Sequence, residues 1–202
     1  MLSNFPIDWN PTIIYISALS ICFNPIFWNI VARNEYKNKT LTKIVGNSTT
    51  ACYFLAFTIF SLGLIRDYLY KLALESQPIN PILDNLYIKA IGALLISVGN
   101  IFVITSTYKL GITGTFLGDY FGILMDAPVT SFPFNVSNNP MYHGSSLIFL
   151  GTGLWYARSV GIVLTGLVVF IYSIATSFEN PFTTMIYQKR DEERKKDAKK
   201  EK

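Results

Sequence analysis

Long apolar stretches alternate with short polar, proline- and glycine-bearing segments along this chain. The first stretch, from about Pro11 to Ala32, is long enough to cross a bilayer as a helix. It contains Asn24-Pro25 and Trp28-Asn29. Pro25 removes a backbone donor and predicts a kink there, so a spanning and a re-entrant helix both stay open. The second stretch, from about Thr50 to Leu69, carries Arg66 and Asp67 near its end, where they are expected at the membrane interface. A polar loop from Lys71 to Asn85, broken by Pro78 and Pro81, leads to a third stretch from about Leu86 to Tyr108. The fourth, Ser145 to Phe178, has 34 mostly apolar residues. As one straight helix it would be about 51 Å long, against a hydrocarbon core of about 30 Å. Ala157-Arg158-Ser159 and Gly161 interrupt it. This predicts two helices joined as a hairpin, the first of them short. The alternative is an interfacial helix followed by one span from about Gly161. The expected fold is an all-α integral membrane protein with four to five membrane helices, the last two a hairpin.

Between the third and fourth stretches lies the segment Gly111 to Gly144, which breaks the pattern. It holds five glycines, Asp119, Asp126, Asn138-Asn139-Pro140 and the single histidine, His143. A linker needs fewer aromatics, and a span would not carry Asp119 or Asn135 to Asn139. The segment is therefore expected to be a folded, polar, site-bearing loop at a membrane surface.

Composition supports the membrane assignment. Of 202 residues, 50% are apolar and only 15% charged. The net charge of +4 is mostly a property of the last fourteen residues, Lys189 to Lys202, which hold eight Lys/Arg and five Asp/Glu. Residues 1–188 are read as the membrane-embedded domain and 189–202 as a charged tail. The remaining body is almost neutral, so nothing points to nucleic acid, and no protein partner is identifiable. The N-terminal MLSNFPIDWN has no positively charged leader region. Cys22 and Cys52 sit in apolar runs and read as small buried hydrophobes.

Charge asymmetry orients the chain. In the hairpin arrangement one side holds Arg33, Lys37, Lys39, Lys43, Lys109 and the tail cations, 13 in all, against 4 on the other. The positive-inside rule makes the richer side, with loop and tail, cytosolic. The ending Lys199-Lys200-Glu201-Lys202 resembles a dilysine retrieval signal, which implies a multi-pass protein of the endoplasmic reticulum membrane.

Several chemistries are absent: there is no P-loop, no HExxH and no GxSxG. One histidine and two apolar-run cysteines cannot build a multi-histidine metal site, so no metal is expected. Glycines, asparagines, tyrosines and a few carboxylates at helix ends remain, groups suited to binding a polar cofactor and positioning two reactants.

The runs FNPIFWNIVAR, LGITGTFLGDYFGIL, FPFNVSNNPMYHGS and ENPFTTMIY resemble the small eukaryotic phospholipid methyltransferases, over about residues 13 to 190. The chain is most similar to the fungal members that perform the last two methylations. The resemblance implies S-adenosylmethionine as methyl donor and N-methylation of phosphatidyl-N-methylethanolamine and phosphatidyl-N,N-dimethylethanolamine to phosphatidylcholine. It also implies cofactor contacts at Ser97-Val98-Gly99, where the family has GxG, and at Glu179-Asn180, where it has Glu-Glu. Asn139-Pro140-Met141-Tyr142-His143-Gly144 more distantly resembles the RHPxYxG element of isoprenylcysteine carboxyl methyltransferases. In that superfamily this element, a following hairpin and a glutamate enclose the cofactor, which implies roles for Asn139, Pro140, Tyr142 and Gly144. Asn139 replaces the motif's histidine, and His143 falls on a variable position.

For chemistry, Asp119 and Glu179 are the candidate catalytic carboxylates, able to receive the proton an attacking amine loses. An acid beside aromatics near a bilayer is costly without a partner, which marks Asp119; Lys109 and Arg33 are the candidate partners in a purely structural role. Arg33 is a candidate contact for the lipid phosphate. Tyr120, Phe121 and Tyr142 are candidates to hold the methylated cation through their ring faces. Two other readings stand beside this one: a non-catalytic endoplasmic-reticulum membrane protein, and a carboxyl methyltransferase of the isoprenylcysteine type.

Overall fold

The structure is a computed structural model and describes residues 5–200. Residues 1–4 of the N-terminal run MLSNFPIDWN, and Glu201 and Lys202 of the dilysine pattern, lie outside the described residues. Six α-helices make up the fold among the described residues: α1 (Thr12–Asn38), α2 (Thr40–Val45), α3 (Ser48–Glu75), α4 (Leu86–Thr115), α5 (Pro140–Trp155) and α6 (Ser159–Lys200). A short 3-10 turn, Gly118–Phe121, stands between α4 and α5. Helices α1, α3, α4 and α6 are long and apolar enough to cross a membrane. The 16 residues of α5 reach only about 24 Å, shorter than a hydrocarbon core of about 30 Å.

Local sequence explains the boundaries. Asn47 begins α3 by accepting the backbone N–H groups of Thr49 and Thr50, and Asn85 begins α4 by accepting that of Ile88. Pro140 stands in the first turn of α5, where its missing donor costs nothing. Glu35, fully buried, accepts the N–H of Leu41 at 2.6 Å and that of Thr42, and so caps α2 from the helix before it. Helix α1 continues through Pro25, and the Asn29 side chain donates to the Pro25 carbonyl at 3.1 Å.

The hairpin expected at Ala157-Arg158-Ser159 is present, with Ala157 in the left-handed region at φ 53°. Gly153 and Gly161 let its two arms close: a Cβ on Gly161 would lie 2.6 Å from the Gly153 Cα. The turn is tied down at one end of the bundle. Asn80 N–H donates to the Ala157 carbonyl, Arg158 donates to the Gln77 carbonyl, and Gln77 exchanges two hydrogen bonds with the Asp8 backbone.

Helices α4 and α5 are antiparallel and approach most closely at two glycine pairs. A Cβ on Gly99 would lie 2.5 Å from the Gly144 carbonyl oxygen, and one on Gly151 2.5 Å from that of Gly92. Seven residues separate the glycines on each helix, two turns along one face. Such close backbone approach is how helices associate where apolar burial gives no driving force.

Three boundaries differ from the sequence expectation. Helix α4 runs on to Thr115 through a break at Gly111 (φ 65°), so the irregular loop is residues 116–139 and not 111–144. Helix α6 has no boundary at 188; it is continuous to Lys200. The Arg190 Nη1 donates to the Met125 carbonyl at 2.5 Å, which fastens this extension to the loop. Arg66 is not an exposed anchor at a helix end. It lies nine residues inside α3, its side chain 11% exposed.

Candidate active site

One end of the bundle gathers the end of α4, the 3-10 turn, the loop, the start of α5 and the middle of α6 around a cavity of about 500 Å³. Two carboxylates, Asp119 and Glu179, stand on its wall.

Glu179 is 8% exposed, and three side chains from two other helices converge on it. Trp28 Nε1 and Asn29 Nδ2, both from α1, donate to its Oε1 at 2.7 and 2.8 Å. The Tyr142 hydroxyl, from the first turn of α5, donates to its Oε2. A buried carboxylate is costly unless its lone pairs are used, and this one is matched by three donors.

Asp119 is held by the next turn of the same helix. Thr183 follows Glu179 by four residues, so the two share a face of α6. The Thr183 hydroxyl donates to Asp119 Oδ2 at 2.8 Å. One turn further, the Tyr187 hydroxyl accepts the Met125 N–H at 3.2 Å. The face 179, 183, 187 therefore positions both carboxylates and the loop. Neither Lys109 nor Arg33 pairs with Asp119 among the described residues.

The cavity is also lined by Asn139, Pro140, Tyr142 and Asn180, which the sequence resemblances mark as candidate cofactor contacts, and by Asn138, Thr183 and Tyr187. Other expected residues lie elsewhere. Ser97 is exposed on α4 and donates to the Ala93 carbonyl, Val98 is half-buried, and Gly99 is pressed against α5 at Gly144. None of these four lines the cavity, so the glycines there serve helix packing. Tyr120 and Phe121 are buried at 1% and 3%; the Tyr120 ring stacks on Phe182 with centroids 5.0 Å apart. They are core residues under the turn and do not line the cavity. Arg33 places its guanidinium 4.5 Å from the Phe182 ring centroid and donates to the Phe178 carbonyl at 2.8 Å, outside the cavity lining. His143 is exposed and bonded to Ser137.

Sequence reasoning noted Trp28-Asn29 only as a polar break, and missed Thr183. The usable signal was polar side chains on a span, which in a membrane must find partners inside the bundle, together with the four-residue spacing from Glu179. Among the described residues, no three His, Cys, Asp or Glu side chains cluster as a metal site would need.

The profile of the phospholipid methyltransferase family matches residues 87–190. Curated relatives extend the match over the chain. A phosphatidyl-N-methylethanolamine N-methyltransferase of Neurospora crassa is 59% identical over 98% of this chain and 92% of its own length. The enzyme of that name from Saccharomyces cerevisiae is 50% identical over 94% of this chain and 92% of its own. A phosphatidylethanolamine N-methyltransferase of Rattus norvegicus is 45% identical over 86% and 87%. No solved structure matches. With a family profile over half its length, full-length relatives and a bundle of four long apolar helices around two partnered carboxylates, the chain belongs to the phospholipid methyltransferase family and is an enzyme of that family.

Proposed function

We propose that this chain methylates the amine of phosphatidyl-N-methylethanolamine and its dimethyl form, using S-adenosylmethionine, with Asp119 and Glu179 as the site. The observation that carries the proposal is the pair of carboxylates on one cavity wall, Glu179 buried and Asp119 half-buried, each fixed by named donors. The lining suits a cofactor that is a cation with polar arms: the Glu179 carboxylate, Asn138, Asn139 and Asn180, the Thr183 hydroxyl, and apolar walls from Leu117 and Ile123. The higher identity to relatives named for the monomethyl lipid supports the later-step substrate.

The bound methyl donor supplies an electrophilic carbon attached to sulfur. Everything else is work for the chain. The amine must be neutral to attack, so the ammonium form of the substrate must give up its proton before the new bond forms; after the last methylation the nitrogen is quaternary and carries none. Glu179 already accepts from three side chains, most of what a carboxylate can accept. Its role is to orient the cationic partner electrostatically. Asp119 accepts from a single side chain and receives the proton. Tyr142, anchored through its hydroxyl, presents its ring edge and face at the cavity and excludes water beside the reacting groups. Glu179, Asp119 and Tyr142 would hold the donor's methyl carbon and the amine in line for direct transfer, so no covalent enzyme intermediate is needed and rate comes from positioning.

The cavity end carries Arg33, Lys37, Lys39, Lys43, Lys109 and the basic extension of α6, which supports a cytosolic orientation in the endoplasmic reticulum membrane. The test is purified protein in mixed micelles with labelled S-adenosylmethionine, offered monomethyl and unmethylated phosphatidylethanolamine separately. Transfer to the monomethyl lipid, with little to the unmethylated one, is expected. Equal transfer to both removes the step preference. No transfer and no donor binding overturns the proposal.

A further inference from the structure

A second cavity, of about 400 Å³, adjoins the first and shares Leu117, Met141 and Tyr142 with it. Its walls come from α3 (Ile59, Arg66), α4 (Asn100, Val103), α5 (Ser145) and α6 (Tyr172). Helices α3 and α4 touch each other little, whereas α4 and α5 are pressed together. Both helices line the second cavity, and their sparse contact leaves room between them for an acyl chain.

Arg66 is the unusual group here. It lies about 27 Å from one end of α3 and about 14 Å from the other. A cation so far inside a span is expensive and calls for a function. Its guanidinium carbon sits 4.9 Å from the Phe149 ring centroid. Nη1 donates to the Tyr172 hydroxyl at 2.5 Å, and that hydroxyl is 3.2 Å from Ser145 Oγ. Nε and Nη2 share one oxygen of Asp67, the next residue in the chain, whose side chain is 56% exposed. A guanidinium has more N–H donors than these contacts use. The Phe149 ring, the Tyr172 hydroxyl and the neighbouring Asp67 carboxylate thus hold the cation at the wall of a cavity that Asp67 also lines, with guanidinium donors left over.

We propose that Arg66 binds the phosphate diester of the phospholipid substrate, with its tail passing between α3 and α4. This rests on the methyl-transfer reading above. The order of charges along the bundle fits the headgroup. Arg66 meets α6 at Tyr172, seven residues and about 10 Å of helix before Glu179, on the side away from the loop. A lipid in the leaflet at the loop end has its amine outermost and its phosphate between amine and acyl chains. Its phosphate then meets the cation and its amine faces the two carboxylates. Tyr142 links the two places, its hydroxyl on Glu179 and its ring 4.9 Å from that of Tyr172. Arg66 is a positioning residue for the lipid and takes the phosphate role in place of Arg33, which packs on Phe182 and lines neither cavity.

The test uses the purified full-length protein in detergent. Binding of short-chain phosphatidyl-N-methylethanolamine is compared with that of an analogue carrying the same amine and acyl groups without phosphate, with no methyl donor present. The wild type should prefer the phosphate-bearing lipid by roughly tenfold or more, as expected for charge-assisted hydrogen bonds. Arg66→Gln should abolish that preference, Arg66→Lys should keep part of it, and Tyr172→Phe should reduce it while preserving the ring packing. Affinity for S-adenosylmethionine should stay unchanged in all three. In turnover, KM for the lipid should rise with kcat largely retained. A preference that survives in Arg66→Gln overturns the proposal. So does a variant that loses the methyl donor and keeps the preference, or a wild type that binds inorganic phosphate as tightly as the lipid. If the lipid preference holds but no methyl transfer occurs, it is the methyl-transfer reading that fails.

Discussion

The seam between α4 and α5 and the cluster around Glu179 use polar and small residues in opposite ways. At the seam, Gly99 meets Gly144 and Gly92 meets Gly151, backbone against backbone, and no side-chain chemistry is left over. At the cluster, Trp28, Asn29 and Tyr142 reach across three helices to one carboxylate, and a cavity opens beside it. Both regions carry residues that the family resemblance marks for the cofactor. Only the second places them on a cavity. Close approach of two backbones and close approach of a backbone to a ligand demand the same residue, glycine, so the motif alone does not distinguish them.

The comparison breaks most visibly at the seam. Gly99→Leu or Gly144→Val should destabilise the fold by at least about 1–3 kcal/mol, because the added atoms meet backbone and not a flexible side chain. Thermal unfolding in detergent reads this. Gly63→Ala and Gly166→Ala, whose added Cβ meets nothing within 4 Å, should be neutral or slightly stabilising in the same assay. Equal losses at all four glycines would deny the seam its special role.

At the cluster, Glu179→Gln replaces an acceptor by an amide donor facing Trp28, Asn29 and Tyr142. Turnover should fall by roughly 100-fold or more. Stability should fall by about 1–3 kcal/mol, the cost of unmatched buried donors. Asp119→Asn should cut kcat by roughly 100-fold while leaving donor affinity nearly intact, since a proton acceptor is lost and not a binding anchor. Single-turnover kinetics separate the two, and unchanged turnover makes Asp119 structural. The smallest effect belongs to Ser97→Ala. Its hydroxyl bonds only to its own helix at Ala93, so stability should change by less than about 0.5 kcal/mol and activity by less than about twofold.

What could be read in advance follows from how local each feature is. The break at Ala157, the spans and the polar loop follow from composition over a few residues, and the structure has them. Glu179 was singled out because the family resemblance marks the carboxylate where the last apolar run ends, and the structure puts it on the cavity wall. The orientation of a uniformly apolar helix was not. Helix α4 has no polar face to show that Gly99 points at α5 and Ser97 away from it. Tyr120 and Phe121 flank Asp119 in sequence, yet the tight 3-10 turn sends the carboxylate to the cavity and both rings to the core. Arg66 looked like an anchor because it sits near the end of the apolar run. Only the packing of α5 and α6 against it reveals a buried cation. The helix beyond Lys189 was hidden because its charges read as a solvated tail, whereas Arg190 ties it to the loop.

The central claim is that the carboxylate cluster, and not the Ser97-Val98-Gly99 run, holds the methyl donor. Equilibrium binding of labelled S-adenosylmethionine to the wild type, Ser97→Ala and Glu179→Gln, side by side, tests it directly. Binding retained in Ser97→Ala and weakened by tenfold or more, in order of magnitude, in Glu179→Gln is the predicted result. Binding lost in Ser97→Ala and untouched in Glu179→Gln would contradict it.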